Sequence, residues 1–284
     1  MSQPSAADLM RLGAEKLQNA GLEDPRMEVR RLFCLVSGYT SATLISKEQD
    51  PVTPDLQIAF EQALSMRADR HPFAHIAGQT DFYGLSIRSD GRALIPRADS
   101  ECVVDLALAR IPQDAAWRLA DLGTGTGALL AALLSHRPQA SGTAIEQSPA
   151  ALSLANENFE TLGLTGRAQL FHGSWSVWTG WDQCDLIISN PPYICSDVIP
   201  DLAPEVRDFD PTEALDGGAD GLGAYREIIA LAAAQMKPGA HLVLEIGYDQ
   251  KAAVTDLLQT AGFGRLEQRQ DLGGNDRAVA AIKS

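Results

Sequence analysis

Downstream of Ser100 the sequence alternates short apolar segments with stretches of helical length. RLADL (118–122), GTAIE (142–146), AQLFH (168–172), DLIIS (185–189) and HLVLEI (241–246) read as strands, with helical patterns between most of them. A helix that carries the chain back to the same sheet makes the strands it joins parallel. Residues 98–284 are therefore predicted to form an α/β domain, a mostly parallel sheet with helices on both faces. In an open sheet of this kind ligands lie beyond the C-terminal strand ends, so the residues that follow each strand carry the chemistry.

Residues 1–70 follow a different period. Ala6, Leu9, Met10, Gly13 and Leu17 are spaced by three and four. Asp24-Pro25 reads as a cap with a first-turn proline, ahead of Val29, Leu32, Phe33 and Val36 on one face, and Gly38 ends that helix. Thr53-Pro54 opens another helix, with Leu56, Phe60, Ala63 and Leu64 on its buried stripe. This region is expected to be a small helical bundle without catalytic groups, used for packing or recognition. Residues 71–97 are expected to connect the two regions through a hairpin, with 86–88 and 92–94 flanking the turn Ser89-Asp90-Gly91.

Two glycine- and proline-rich junctions follow predicted strands. In LADLGTGTGALL (119–130), Gly123, Thr124, Gly125, Thr126 and Gly127 form a turn between a strand and a helix. Such a loop lets a ligand approach the backbone, and taken as Gly123-x-Gly125-x-x-Ala128 it also fits a dinucleotide pattern. Glu146 ends the next strand, and an acid about 20 residues past the first glycine suits the hydroxyls of an adenosine ribose. The second junction is Asn190-Pro191-Pro192-Tyr193, directly after DLIIS. Two prolines stiffen the chain and remove two backbone donors. An Asn oxygen, proline carbonyls and an aromatic ring at one strand tip suit a planar group that bears an NH2.

These features resemble the class I methyltransferases that use S-adenosyl-L-methionine, a Rossmann-like fold. The resemblance sharpens through TDFYGLSI (80–87), ALIPRADSE (93–101), NPPYI (190–194), EVRDFDPTEALDGGADGLGAYREII (205–229), LEIGYDQ (244–250) and DLGGNDR (271–277). Together they are similar to the bacterial HemK/PrmC family, the peptide chain release factor glutamine methyltransferases. The resemblance implies a helical bundle that recognises substrate (1–70), a hairpin linker (71–97) and a methyltransferase domain (98–284). It implies methylation of the Gln side-chain nitrogen in the Gly-Gly-Gln loop of class I release factors. Gly123, Thr124, Gly125, Thr126, Gly127 and Glu146 then match the cofactor site, with Trp175 near the adenine, and Asn190, Pro191, Pro192 and Tyr193 match the catalytic motif, Asn190 counting toward the cofactor site as well. The family more often has Asp where Glu146 stands, PRPDTE where this chain has PRADSE, and Asp where Ser174 stands.

A formal net charge of -14 opposes wide contact with a phosphate backbone, so direct nucleic-acid binding is not expected, and methylation of adenine in nucleic acid is the weaker reading. Glutamine methylation of a ribosomal protein is a closer alternative, and a scaffold that merely retains the fold would need neither motif. Four dispersed cysteines and five histidines show no metal-ligand spacing, so no metal is expected, and reduced thiols suit a cytoplasmic protein. No run is long and apolar enough to span a bilayer, and MSQPSAADLM lacks the pattern of a signal peptide. Monomer is the default. Residues 197–223 hold eight acids against one base, Arg207, and read either as a solvated loop or as an acidic rim that admits a basic segment of the substrate.

Overall fold

The structure, a computed structural model, describes residues 3–284, so the first two residues of the N-terminal segment lie outside it. The chain divides into two compact units. One runs to Gly78 and takes in Ala203–Phe209; the other comprises Gln79–Leu202 and Asp210–Ser284.

The first unit is helical: α1 (Ala6–Asn19), α2 (Pro25–Ser37), α3 (Ser41–Lys47), α4 (Pro54–Ala68), α5 (Phe73–Ala77) and the single turn α9 (Pro204–Arg207). Capping fixes the helix starts. Ser5 and Asp8 form a reciprocal capping box at α1, and Asp24, Thr40 and Thr53 each accept an amide of the helix they precede. Gly38 closes α2 in the left-handed conformation. Leu17, Leu32, Phe33, Leu44 and Phe60 are buried at the centre, each contributing about 1.5–3 kcal/mol. Phe33 and Phe60 meet edge to face at 5.4 Å. The late segment is tied in by charge. Glu205 accepts from Arg67 and Arg70, both at 3.0 Å, and Arg67 also donates to Glu28 at 2.6 Å.

The second unit opens with the hairpin of β1 (Gln79–Phe82) and β2 (Leu85–Arg88), which lies earlier than the Asp-Gly signal predicts. Tyr83 (φ +51°) and Gly84 (φ +75°) make the two-residue turn, in the left-handed backbone such hairpins require. Asp90-Gly91 turns the chain without returning it. The Asp90 carboxylate is occupied by the Arg92 amide and guanidinium, and Arg92 also holds Glu157. Asn158 then ends the hairpin: its amide meets both the N–H and the C=O of Arg88.

The remaining elements are α6 (Glu101–Leu108), β3 (Arg118–Leu122), α7 (Ala128–His136), β4 (Ser141–Glu146), α8 (Pro149–Thr161), β5 (Ala168–His172), β6 (Leu186–Ser189), α10 (Gly223–Gln235), β7 (His241–Glu245), α11 (Lys251–Thr260), β8 (Phe263–Gln270) and β9 (Asp276–Lys283). The seven strands are ordered β5-β4-β3-β6-β7-β9-β8. The first five are parallel, and β9 is antiparallel to both its neighbours. An α/β unit with a mostly parallel sheet is thus what the alternation predicts. From β3 the chain winds outward through β4 to β5, then returns to β6 on the other side. The strand order reverses there, and a crevice opens between the tips of β3 and β6.

Candidate active site

The register determines what meets in that crevice. Leu122 at the end of β3 pairs with Ile145 on one side and Ser189 on the other, and the Ser189 hydroxyl donates to the Leu122 carbonyl at 2.7 Å. The glycine loop, the β4 tip and the Asn190 junction are therefore neighbours. They open on a cavity of about 930 Å³, built wholly from the second unit. That volume suits a cofactor together with the end of a substrate side chain.

Of the residues expected at the site, Gly123, Thr124, Gly125, Thr126, Glu146, Trp175, Asn190 and Pro192 line this cavity. The Gly123 and Thr124 amides both donate to the Ile145 carbonyl, which bends the loop over the β4 tip. The Glu146 carboxylate accepts the Gly125 amide on Oε2 at 3.0 Å and the Ser148 amide on Oε1 at 2.9 Å. The side chain thus turns back onto the loop. One acceptor site remains on each oxygen. Trp175 stands beside Gly123, where an added Cβ would lie 3.5 Å from the ring, and its indole N–H donates to Glu227 at 2.8 Å.

Gly127, Pro191 and Tyr193 do not line the cavity. Gly127 has φ +81°, and a Cβ there would lie 2.8 Å from the Phe159 ring, so its task is close helix packing. Pro191 is buried. The Tyr193 side chain packs into the apolar cluster beneath the sheet tip and donates a long bond, 3.5 Å, to Glu245. Burial, with Glu245 beside it, pushes its hydroxyl up to about 12. The expected aromatic wall is therefore an anchor behind the loop.

Three supporting groups, Asp121 in the segment 119–130 and Glu245 and Gln250 in the segment 244–250, lie within motif-bearing segments without being expected at the site. Asp121 interrupts the apolar strand RLADL; it is buried beneath the loop and accepts the Thr124 hydroxyl at 2.6 Å. Burial raises its carboxyl to about 7, against the pull of that hydrogen bond. Glu245 and Gln250 lie behind the 190–193 loop, and the lone polar residue in an apolar strand was the available sign for Asp121 and Glu245. Among the described residues, no group of three His, Cys, Asp or Glu is placed to hold a metal ion, and no helix is long and apolar enough to cross a membrane.

The acidic segment is only partly a solvated loop: Asp197, Asp201, Asp208, Glu213, Asp216 and Asp220 are exposed, Glu205 is half-buried and Asp210 is buried. Asp210, 5% exposed, holds Arg97 at 2.6 Å and accepts the Ile95 amide. Asp216 takes the Ser196 hydroxyl and the Gly218 amide, and Asp220 is paired with Arg226. Pro211, Glu213, Ala214 and Asp216 line the cavity, so part of the segment forms its wall.

Comparison with known proteins agrees with this architecture. Residues 8–78 match the family described as PrmC N-terminal domain, and residues 102–200 match the methyltransferase small domain. The chain is 41% identical over 276 residues to the release factor glutamine methyltransferase of Cereibacter sphaeroides, spanning 97% of this chain and 98% of that one. It is 38% identical over 270 residues to that of Caulobacter vibrioides, spanning 95% and 93%. A solved methyltransferase from Pyrococcus furiosus is similar in fold alone, with a TM-score of 0.51 and 16% identity over 72% of this chain and 91% of that one. Identity of this degree along nearly the whole length identifies the chain as a member of the release factor glutamine methyltransferase family.

Proposed function

We propose that the protein methylates the side-chain nitrogen of a glutamine, that of the Gly-Gly-Gln loop in class I peptide chain release factors, with S-adenosyl-L-methionine as methyl donor. One observation carries this reading: Asn190 and Pro192 line the same cavity as Gly123, Gly125 and Glu146. An amide-binding motif and an adenosine-binding loop thus share one space.

Bound in the cavity, S-adenosyl-L-methionine supplies an electrophilic methyl on a sulfonium. Glu146 would accept from the ribose hydroxyls with the sites its two backbone donors leave free, and Trp175 would offer its ring to the adenine. The acidic lining from Glu213, Asp216 and Glu227 suits a cationic ligand. An amide nitrogen is a weak nucleophile because its lone pair is delocalised into the carbonyl. Asn190 Oδ1 and a carbonyl of the Pro191-Pro192 backbone accept its two N–H bonds and turn the nitrogen toward the methyl. These acceptors also stabilise the positive charge that grows on nitrogen, an effect that strengthens where water is excluded. As the N–C bond formed, the S–C bond of the sulfonium would break with its electron pair going to sulfur, S-adenosyl-L-homocysteine would leave as a neutral thioether, and the nitrogen, now acidic, would give its proton to water, so no strong base is needed. Tyr193, anchored on Glu245, keeps the loop at the strand tip, and orientation is the main catalytic contribution.

The helical unit is proposed to recognise the release factor, with the chain acting as a cytoplasmic monomer. Labelled methyl transfer tests the substrate assignment, with a purified release factor, a ribosomal protein and an adenine-containing oligonucleotide as separate acceptors. Label in the release factor alone is expected. Label only in either of the others would overturn the assignment.

A further inference from the structure

The 190–193 loop has little means of holding itself. Its two prolines carry no N–H, so the loop must be fixed largely through its carbonyl oxygens and by what packs behind it. Two glycines provide the close packing. A Cβ on Gly217 would lie 2.8 Å from the Tyr193 Cα and 2.9 Å from the Pro192 carbonyl oxygen. Gly221, with φ +68°, approaches closer still: its Cβ would stand 2.4 Å from the Tyr193 carbonyl oxygen and 2.6 Å from Gln250 Nε2. The sequence beyond the loop then pairs with the same segment, as Ile194 donates to Leu215 and accepts from Gly217.

Gln250 joins these pieces. Its amide nitrogen donates to the Tyr193 carbonyl at 2.9 Å and to the Gly221 carbonyl at 3.2 Å, using both N–H bonds. Its amide oxygen accepts the Gly247 amide at 3.0 Å, with the Tyr225 hydroxyl 3.4 Å away. The residue is 9% exposed and does not line the cavity. A pair of donors facing two carbonyls and an acceptor facing an N–H is a pattern that a primary amide satisfies and a carboxylate does not.

We propose that Gln250 is a positioning residue for methyl transfer: through the Tyr193 carbonyl it fixes where the 190–193 loop holds the acceptor amide, without touching cofactor or substrate. The proposal rests on the amide-methylating role of that loop. It predicts a loss in turnover separate from any loss in cofactor binding, because Gly123, Gly125 and Glu146 are held by other contacts. It also predicts a pH signature. Gln250→Glu keeps size and the acceptor oxygen, but when ionised it sets a negative oxygen against two carbonyls. When protonated it regains one donor for the Tyr193 carbonyl.

The test uses the full chain, with turnover on a purified release factor and the dissociation constant of S-adenosyl-L-methionine measured between about pH 6 and pH 8.5. At the upper end, Gln250→Glu should lose about 10-fold to 100-fold in kcat, the scale of a displacement near 1 Å, with cofactor affinity within about two-fold of wild type. The ratio of variant to wild-type turnover should then rise as pH falls. Gln250→Met, lacking both donor and acceptor, should show the loss with a ratio that does not change with pH. Wild-type turnover in folded Gln250→Glu at the upper pH would overturn the proposal. So would a loss that tracks weakened cofactor binding or the unfolded fraction read by circular dichroism in the same samples. Should the wild-type chain itself transfer no methyl to the release factor, the failure would lie with the proposed function, and the Gln250 proposal would fall with it.

Discussion

Replacing Glu245 with Gln should change how stability depends on pH. Glu245 ends β7 at 2% exposure, with the Tyr193 hydroxyl 3.5 Å from its Oε1. Burial pushes its carboxyl up to about 7, with Arg277 pulling the other way. In the unfolded chain the same group titrates near the ordinary glutamate value of about 4.3. Between these values the folded protein holds a proton that the unfolded chain has released, so stability falls as pH rises. A displacement of between two and three pH units is worth about 3 kcal/mol, most of it lost between about pH 5 and pH 8. The amide introduced by Glu245→Gln does not titrate and carries no such dependence. Urea unfolding of the wild-type and Glu245→Gln proteins at about pH 5 and about pH 8 measures it directly. The stability of the variant minus that of the wild type should rise by about 2–3 kcal/mol between the two conditions. Asp121, whose carboxyl is also raised, contributes equally to both proteins and cancels in this difference. A difference that is the same at both pH values would mean that Glu245 is charged in the folded protein throughout.

Asn190→Ala should lower methyl transfer by about 100-fold or more while cofactor affinity, read by calorimetry, stays within a few-fold, because the contact proposed for it is made to the reacting nitrogen. Glu146→Ala should weaken cofactor binding by about 1.5–3 kcal/mol in the same titration, through loss of the acceptor proposed for the ribose hydroxyls; an unchanged dissociation constant would remove the ribose role. Gly127→Ala should cost more than about 1 kcal/mol in thermal or urea unfolding, since φ is +81° and the new methyl would meet Phe159 at 2.8 Å. A neutral result there would contradict the close packing of α7 on α8.

The parallel strands were legible because β3, β6 and β7 are buried along almost their whole length and read as short apolar runs. The antiparallel pair that completes the sheet was not. β8 buries only Phe263 and otherwise reads as a polar segment, a property of edge strands. The loops at the strand tips carried the site, since glycine and proline patterns are local chemistry. Misreadings arose where the partner is distant in sequence. Asp90-Gly91 looks like a hairpin turn until Glu157 and Asn158 are seen to hold its flanks. Two of the acids of 197–223, Glu205 and Asp210, look as solvated as their six exposed neighbours until Arg67, Arg70 and Arg97 are seen to meet them. Gly127 and Tyr193 carry motif positions, yet both face the packing side. A motif fixes residue type more firmly than it fixes which way a side chain points.

In the proposed reaction one cavity joins a methyl donor to a glutamine side-chain amide. The most direct measurement is tandem mass spectrometry of a release factor incubated with this protein and S-adenosyl-L-methionine, which locates the added methyl to a single residue. The expected result is one methyl on the side-chain nitrogen of the Gln in the Gly-Gly-Gln loop, and none when that Gln is replaced by Glu. A methyl on any other residue, or undiminished transfer to the Gln→Glu release factor, would contradict it.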